Sequence, residues 1–280
     1  MDEQKLSFDD FRIPHLKKVL PALAKLFKSL DIQFYILGGL ARDIHFSVLE
    51  IEAVRMTKDL DIAIFVPESD QFDLVINELV KQYGYQKVEE NPVVLIHPSG
   101  LNVDFIPFNK LSSVDGSMAE FGADFEGFNL KGFYEISLAS IEAIEIEGVF
   151  YNVSTPEAII LLKILAFDDR PDWRGKDLED IGQLLKYYFD LNTDQIYEDH
   201  NDLFDDDPAQ KLEEISARVI GRKMAATLKT NDELKKDILS IIGRYLSDEN
   251  HAAVIQLSIE LEMETDVVKK IIRQLKTGLE

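Results

Sequence analysis

Two carboxylates one residue apart, Asp59 and Asp61, stand at the head of the apolar run Leu60-Asp61-Ile62-Ala63-Ile64-Phe65-Val66. Side chains along a strand alternate between faces, so the pair shares one face while Leu60, Ile62, Ile64 and Val66 fill the other. A ledge of this kind suits a hard divalent cation, which takes oxygen ligands. A second apolar run, Leu101-Asn102-Val103-Asp104-Phe105-Ile106, carries the single carboxylate Asp104, which alternation sets opposite in facing to Val103 and Phe105. If the two strands are neighbours, three carboxylates gather where two metals can sit, and Asp104 can take the proton of an attacking hydroxyl.

Upstream, Gly38-Gly39 follows the apolar stretch Gln33 to Leu37 and precedes a helical pattern from Leu40 to Leu49. Without side chains, such a turn lets backbone N–H groups approach phosphate oxygens at a helix start. A glycine pair also serves as a plain tight turn, and an Asp-x-Asp as a solvated edge or turn cap. What is specific is the order: glycine pair, paired carboxylates, third carboxylate, each at the end of an apolar strand.

These strands belong to a mixed pattern. Apolar residues at near-helical spacing from Ser7 to Leu30 predict a helical lead-in that Pro14 and Pro21 break or bend. Ser69 to Tyr83 reads as a helix, Val93 to His97 and Leu101 to Pro107 as a hairpin around Pro98-Ser99-Gly100, and Ile141 to Val153 as two short strands turning at Gly148. At Ser154-Thr155-Pro156-Glu157 the pattern changes: a hydroxyl cap, proline at the first helical position and a first-turn carboxylate mark a helix start. Helices follow at about 156 to 168, 176 to 189, 208 to 228, 232 to 246, 250 to 261 and 264 to 277. The expectation is an α/β (α+β) chain, with a mixed sheet flanked by helices over 1–153 and an all-helical domain over 154–280. The acidic cluster between Asp194 and Asp207 reads as a solvated loop.

Composition narrows the classes. The 280 residues are 46% hydrophobic and 29% charged, with no cysteine, so disulfides, thiolate nucleophiles and cysteine-bound zinc are excluded. No run approaches the length needed to span a bilayer, and the acidic N-terminus lacks a secretory pattern, so no membrane partner and a cytoplasmic location are expected. A formal charge of −22 argues against broad, non-specific nucleic-acid binding. The five histidines show no paired ligand spacing, and no nucleophile motif surrounds a serine.

On the stretches ILGGLARDI, RMTKDLDIAI, VDFIPF, KGFYE, LLKILAFDDRP, GKDLEDIGQLL and ARVIGRKM, the chain resembles the nucleotidyltransferase superfamily, and within it the AbiEii/AbiGii type of toxin nucleotidyltransferase. Gly38-Gly39 with Ala41-Arg42-Asp43 is also similar to the glycine motif of tRNA nucleotidyltransferases and poly(A) polymerases. The resemblance implies transfer of NMP from a nucleoside triphosphate to an acceptor, with Mg²⁺ or Mn²⁺ held by Asp59, Asp61 and Asp104, and Asp104 as base. It implies an RNA or tRNA acceptor, a cognate antitoxin as partner, and a helical domain that completes the nucleotide cleft. A catalytically silent nucleotide-binding or toxin–antitoxin module, and a transferase acting on an antibiotic or other small molecule, are the competing readings.

By position, the resemblance makes Gly38 and Gly39 the phosphate-facing turn and Lys163 the lysine that reaches the triphosphate from the first helix of the helical domain. Among Ile159, Ile160, Leu162 and Ile164, Lys163 is otherwise a residue snorkelling from a partly buried face. Lys176, Asp177 and Asp180 match the family's Lys-Asp-x-x-Asp helix. Asp177 and Asp180, three apart, can pair with Lys163 or Arg174 to orient them or simply form a structural salt bridge. Arg42 and Lys58 are further phosphate candidates, Lys58 alternatively an exposed lysine ahead of the strand. Trp173 can stack on a base, but an aromatic pinned between helices is the favoured expectation. Arg55 and Thr57 have no assigned role. Two features depart from the family. The commoner turn is Gly-Ser, whose hydroxyl can contact a phosphate; Gly39 cannot, so that contact falls to backbone or Arg42. The gap from the glycines to Asp59 also exceeds that of compact members.

Overall fold

The computed structural model describes residues 5–51, 57–89, 91–111, 116, 129–204, 209–248 and 251–280. Arg55 and the last part of the acidic run, 205–207, lie outside them. The fold is mixed α/β, and the chain divides into two compact units, Met1–Thr155 and Pro156–Glu280.

The first unit is built on a seven-stranded mixed sheet of β1 (Phe34–Leu37), β2 (Leu60–Phe65), β3 (Gln86–Val88), β4 (Asn91–Ile96), β5 (Asn102–Phe108), β6 (Ile141–Ile146) and β7 (Val149–Ser154). Their order across the sheet is β3-β4-β5-β2-β1-β7-β6. The sites of interest sit at its centre: β1 runs antiparallel to β2, and β2 runs parallel to β5. Among the described residues the sheet is accompanied by the helices α1 (Leu16–Ser29), α2 (Gly38–Ser47), α3 (Ser69–Tyr83) and α4 (Phe133–Ala139). The buried row Leu16, Val19, Leu20, Leu23 and Phe27 of α1 recurs at helical spacing. Phe27 packs on Phe34 of β1 and Phe105 of β5, with ring centroids 4.9 and 6.3 Å apart. This row explains why α1 runs through Pro21, where the chain was expected to break or bend, without ending there: burial of a full apolar face offsets the one backbone hydrogen bond that proline removes. Both hairpins turn where the glycines stand. β4 and β5 are joined through Gly100 at φ 87°, and β6 and β7 through Glu147 and Gly148, both left-handed as a two-residue hairpin turn requires.

The second unit is all helix: α5 (Pro156–Asp169), α6 (Gly175–Leu191), α7 (Thr193–Asp199), α8 (Leu212–Thr227), α9 (Asp232–Ser247), α10 (Ala252–Leu261) and α11 (Thr265–Leu279). α5 opens at Pro156, where the cap pattern placed it. α8 and α11 cross at a pair of glycines. A Cβ on Gly221 would lie 2.2 Å from the carbonyl oxygen of Leu275, and one on Gly278 2.2 Å from that of Arg218, so only glycine permits the approach. The acidic stretch expected to be a loop instead holds α7 and a short 3-10 turn, Asn201–Leu203. Ile196 is buried, and Tyr197 stacks on Phe204 at 5.0 Å, which gives this otherwise polar segment an apolar anchor.

Candidate active site

β1 ends at Leu37, whose register partner on β2 is Asp61. The chain then leaves the sheet through Gly38 at φ 67°, a left-handed conformation that favours glycine. A second constraint acts on the same residue: a Cβ there would stand 2.2 Å from Asp61 Oδ2. The carboxylate of Asp61 therefore lies directly against the turn. Gly39 is subject to an equivalent constraint from another side, for its Cβ would meet Thr57 Oγ1 at 2.1 Å. Both glycines open α2, whose first turn receives no side-chain cap from Leu37. First-turn N–H groups and the positive end of the helix dipole together favour an anion. The other end of α2 is fixed to the sheet, where His45 Nε2 donates to the carbonyl oxygen of Ser154 at 2.8 Å.

Asp104 is the register partner of Asp61 across the parallel β2–β5 pair. Register partners on adjacent strands project to one face about 4.8 Å apart, so the two half-buried carboxylates are side by side. Val94 flanks Asp104 on β4. Like charges placed directly across a sheet repel, and a cation or donor group must offset them for both to remain ionised. Asp59 sits at a bend one residue ahead of β2, exposed, and Lys58 before it is exposed as well. Among the described residues, no group of three or more His, Cys, Asp or Glu is arranged to hold a metal ion. Two neighbouring carboxylates nevertheless fit magnesium, which usually keeps several waters and takes one or two carboxylates together with substrate phosphates.

The remaining candidates occupy other settings. Arg42 is 0% exposed, and its Nε and Nη2 lie 2.9 and 2.6 Å from Asp43 Oδ1. It has no exposed surface from which to meet a phosphate. In the helical unit Lys163 is 9% exposed and is held by two carboxylates of α6, with Nζ 2.8 Å from Asp177 Oδ1 and 2.6 Å from Asp180 Oδ2. Arg174 lies 3.7 Å from Asp177 Oδ2. Spacing three apart puts both aspartates on one side of the helix, where they meet the same ammonium. Lys163 is thus an ion-paired buried lysine rather than a snorkelling one. Trp173, expected between helices, is 86% exposed, because the connector that carries it, residues 170–174, brings no element over the ring. Thr57, without a role in the sequence, turns out to border the glycine turn; a hydroxyl two residues ahead of Asp59 was its only sequence signal.

No protein-family model matches the chain, and no curated protein matches it. Among solved structures it is similar to an antigenic nucleotidyltransferase-like protein from Paracoccidioides brasiliensis, at 19% identity and a TM-score of 0.44, over 84% of this chain and 94% of that one. It is also similar to the antibiotic-resistance factor ANT(2'')-Ia, at 17% identity and a TM-score of 0.38, over 76% of this chain and 96% of that one. No described helix is long and apolar enough to cross a membrane.

Proposed function

We propose that the protein is a metal-dependent nucleotidyltransferase that moves an NMP group from a nucleoside triphosphate to an acceptor hydroxyl. The observation that carries this reading is the contact of the Gly38 turn with the Asp61 carboxylate, with Asp104 in register beside it. An anion-binding helix start and a carboxylate pair are thereby brought within one small volume, as triphosphate chemistry needs. The first turn of α2 receives phosphate oxygens through its backbone N–H groups. Asp61 and Asp104 are the groups that would hold Mg²⁺ or Mn²⁺, which when bound would supply charge neutralisation on the phosphates and the leaving pyrophosphate, with Asp59, exposed one residue ahead of β2, assigned to the metal by resemblance alone. Asp104 accepts the proton of the attacking hydroxyl as its oxygen bonds to the α-phosphorus, and the bond from that phosphorus to the bridging oxygen breaks to release pyrophosphate.

The family resemblance favours an RNA acceptor such as a tRNA end, with a cognate antitoxin as regulator. The charge of −22 favours instead an acceptor bound without a broad phosphate-tracking surface, such as a small polyhydroxyl compound. Incubation with α-labelled NTPs, Mg²⁺ and either total RNA or a panel of aminoglycosides separates the two. Label appearing on one acceptor class with release of pyrophosphate, and lost in an Asp59→Ala/Asp61→Ala variant, is the expected result. Failure to bind any of the four NTPs, with no label transferred, would overturn the enzyme reading.

A further inference from the structure

Thr57 Oγ1 is a buried hydroxyl oxygen that makes no hydrogen bond among the described residues, on a side chain only 9% exposed. Leaving a buried hydroxyl unpaired costs on the order of 1–3 kcal/mol, so the group calls for a partner. Its location is specific. The hydroxyl lies 2.1 Å from the point where a side chain on Gly39 would begin, with Cγ2 and Cβ of the same threonine at 2.9 and 3.0 Å. Thr57 therefore fills the space that residue 39 leaves empty, at the first turn of α2. A Gly-Ser turn would place a hydroxyl on residue 39 itself; here residue 39 is bare, and a hydroxyl reaches the same point from the segment before β2.

We propose that Thr57 is the hydroxyl donor to the triphosphate, supplying from the neighbouring segment what a serine at position 39 would supply from the turn. This inference rests on the nucleotidyltransferase reading. In the absence of ligand the hydroxyl is enclosed, so engagement requires a small opening at the turn, for which the two glycines supply the backbone freedom. The phosphate oxygen then provides the acceptor that the protein does not. The arrangement also explains why position 39 has to be glycine here: two side chains cannot share the volume.

Binding of Mg²⁺-tripolyphosphate and of ATP, CTP, GTP and UTP by titration calorimetry tests this without requiring knowledge of the acceptor. Thr57→Val, which keeps the shape and removes the hydroxyl, weakens affinity about 10-fold or more, the scale of a hydrogen bond to a charged group. Thr57→Ser retains wild-type affinity. The unfolding temperature of Thr57→Val is no lower than that of the wild type, because no protein hydrogen bond is lost; a clear fall would mean a structural role and overturn the inference. Equal affinity of Thr57→Val and wild type would also overturn it, whereas a wild type that binds no triphosphate overturns the nucleotidyltransferase reading instead. The exchange variant Thr57→Ala/Gly39→Ser binds more tightly than Thr57→Ala alone. A double variant no better than the single would refute the shared position of the two side chains.

Discussion

Each unit of the molecule carries a pair of aspartates, and the two pairs are held in opposite ways. In the helical unit Asp177 and Asp180 close on one ammonium, Lys163, so charges of opposite sign meet within hydrogen-bond distance. In the sheet unit Asp61 and Asp104 stand side by side with the same sign, against a helix start. The first arrangement brings opposite charges together. The second brings like charges together, the arrangement on which the proposed binding of a metal-bound triphosphate rests. The glycines divide in the same manner. Gly221 and Gly278 make room for backbone carbonyls and so serve helix packing, whereas Gly38 and Gly39 make room for side chains, the carboxylate of Asp61 and the hydroxyl of Thr57.

Substitutions in the two clusters should therefore separate activity from stability. The largest effect is expected at the like-charged pair: Asp104→Asn or Asp61→Asn lowers nucleotidyl transfer by about 10²–10⁴-fold, the scale of a positioned proton-transfer group, read in the labelled-NTP assay beside the unfolding midpoint in urea. A drop in stability without loss of transfer would reverse the contrast. At the opposite-charged cluster the sign changes. Lys163→Met strands two buried carboxylates and destabilises by about 3–5 kcal/mol, and neutralising both partners as Asp177→Asn/Asp180→Asn recovers part of the loss; equilibrium denaturation of the three proteins measures this.

A smaller effect is expected at the helix crossing. Gly221→Ala forces α8 from α11 and costs about 1–3 kcal/mol, read as a lowered midpoint with unchanged triphosphate affinity. Gly38→Ala is expected to affect both quantities, since its Cβ meets Asp61 and its φ is left-handed. Smallest is the response to mild acid in the helical unit. Burial, with the nearby Arg222 guanidinium, holds the His200 imidazole below its ordinary value of 6.5, and its Nδ1 lies 3.2 Å from Arg222 Nη1. A histidine with a depressed folded value binds fewer protons than the unfolded chain, so its contribution is present above pH 6.5 and is lost as pH falls below it. His200→Asn should flatten this part of the stability profile between about pH 7 and 5.5, and an unchanged slope would exclude the contribution.

Local signals made much of the fold legible. The run Ser154-Thr155-Pro156-Glu157 marks the start of α5, the alternation around Gly148 marks the β6–β7 hairpin, and Ser69 to Tyr83 coincides with α3, because cap, turn and period each act within a few residues. Short elements escaped. β3 has three residues, and α4 and α7 seven each, too few for a period to emerge, and α7 is anchored by contacts with Phe189 and Phe204 that its own acidic composition conceals. At the candidate site, residue types and order were readable while their neighbours were not. Arg42 looked available beside the glycines but is enclosed by the fold, and Thr57 looked idle but borders Gly39.

By itself the sequence determined that a bare turn precedes two carboxylates and that a third follows on another apolar strand, since order along a chain and alternation along a strand are local properties. Only the tertiary structure decided that Asp61 is the partner of Asp104, that its carboxylate lies against Gly38, and that Thr57 takes the place of a side chain at position 39. Strand register is set by pairing between segments far apart in the chain, and a one-residue slip would have turned Asp104 to the opposite face.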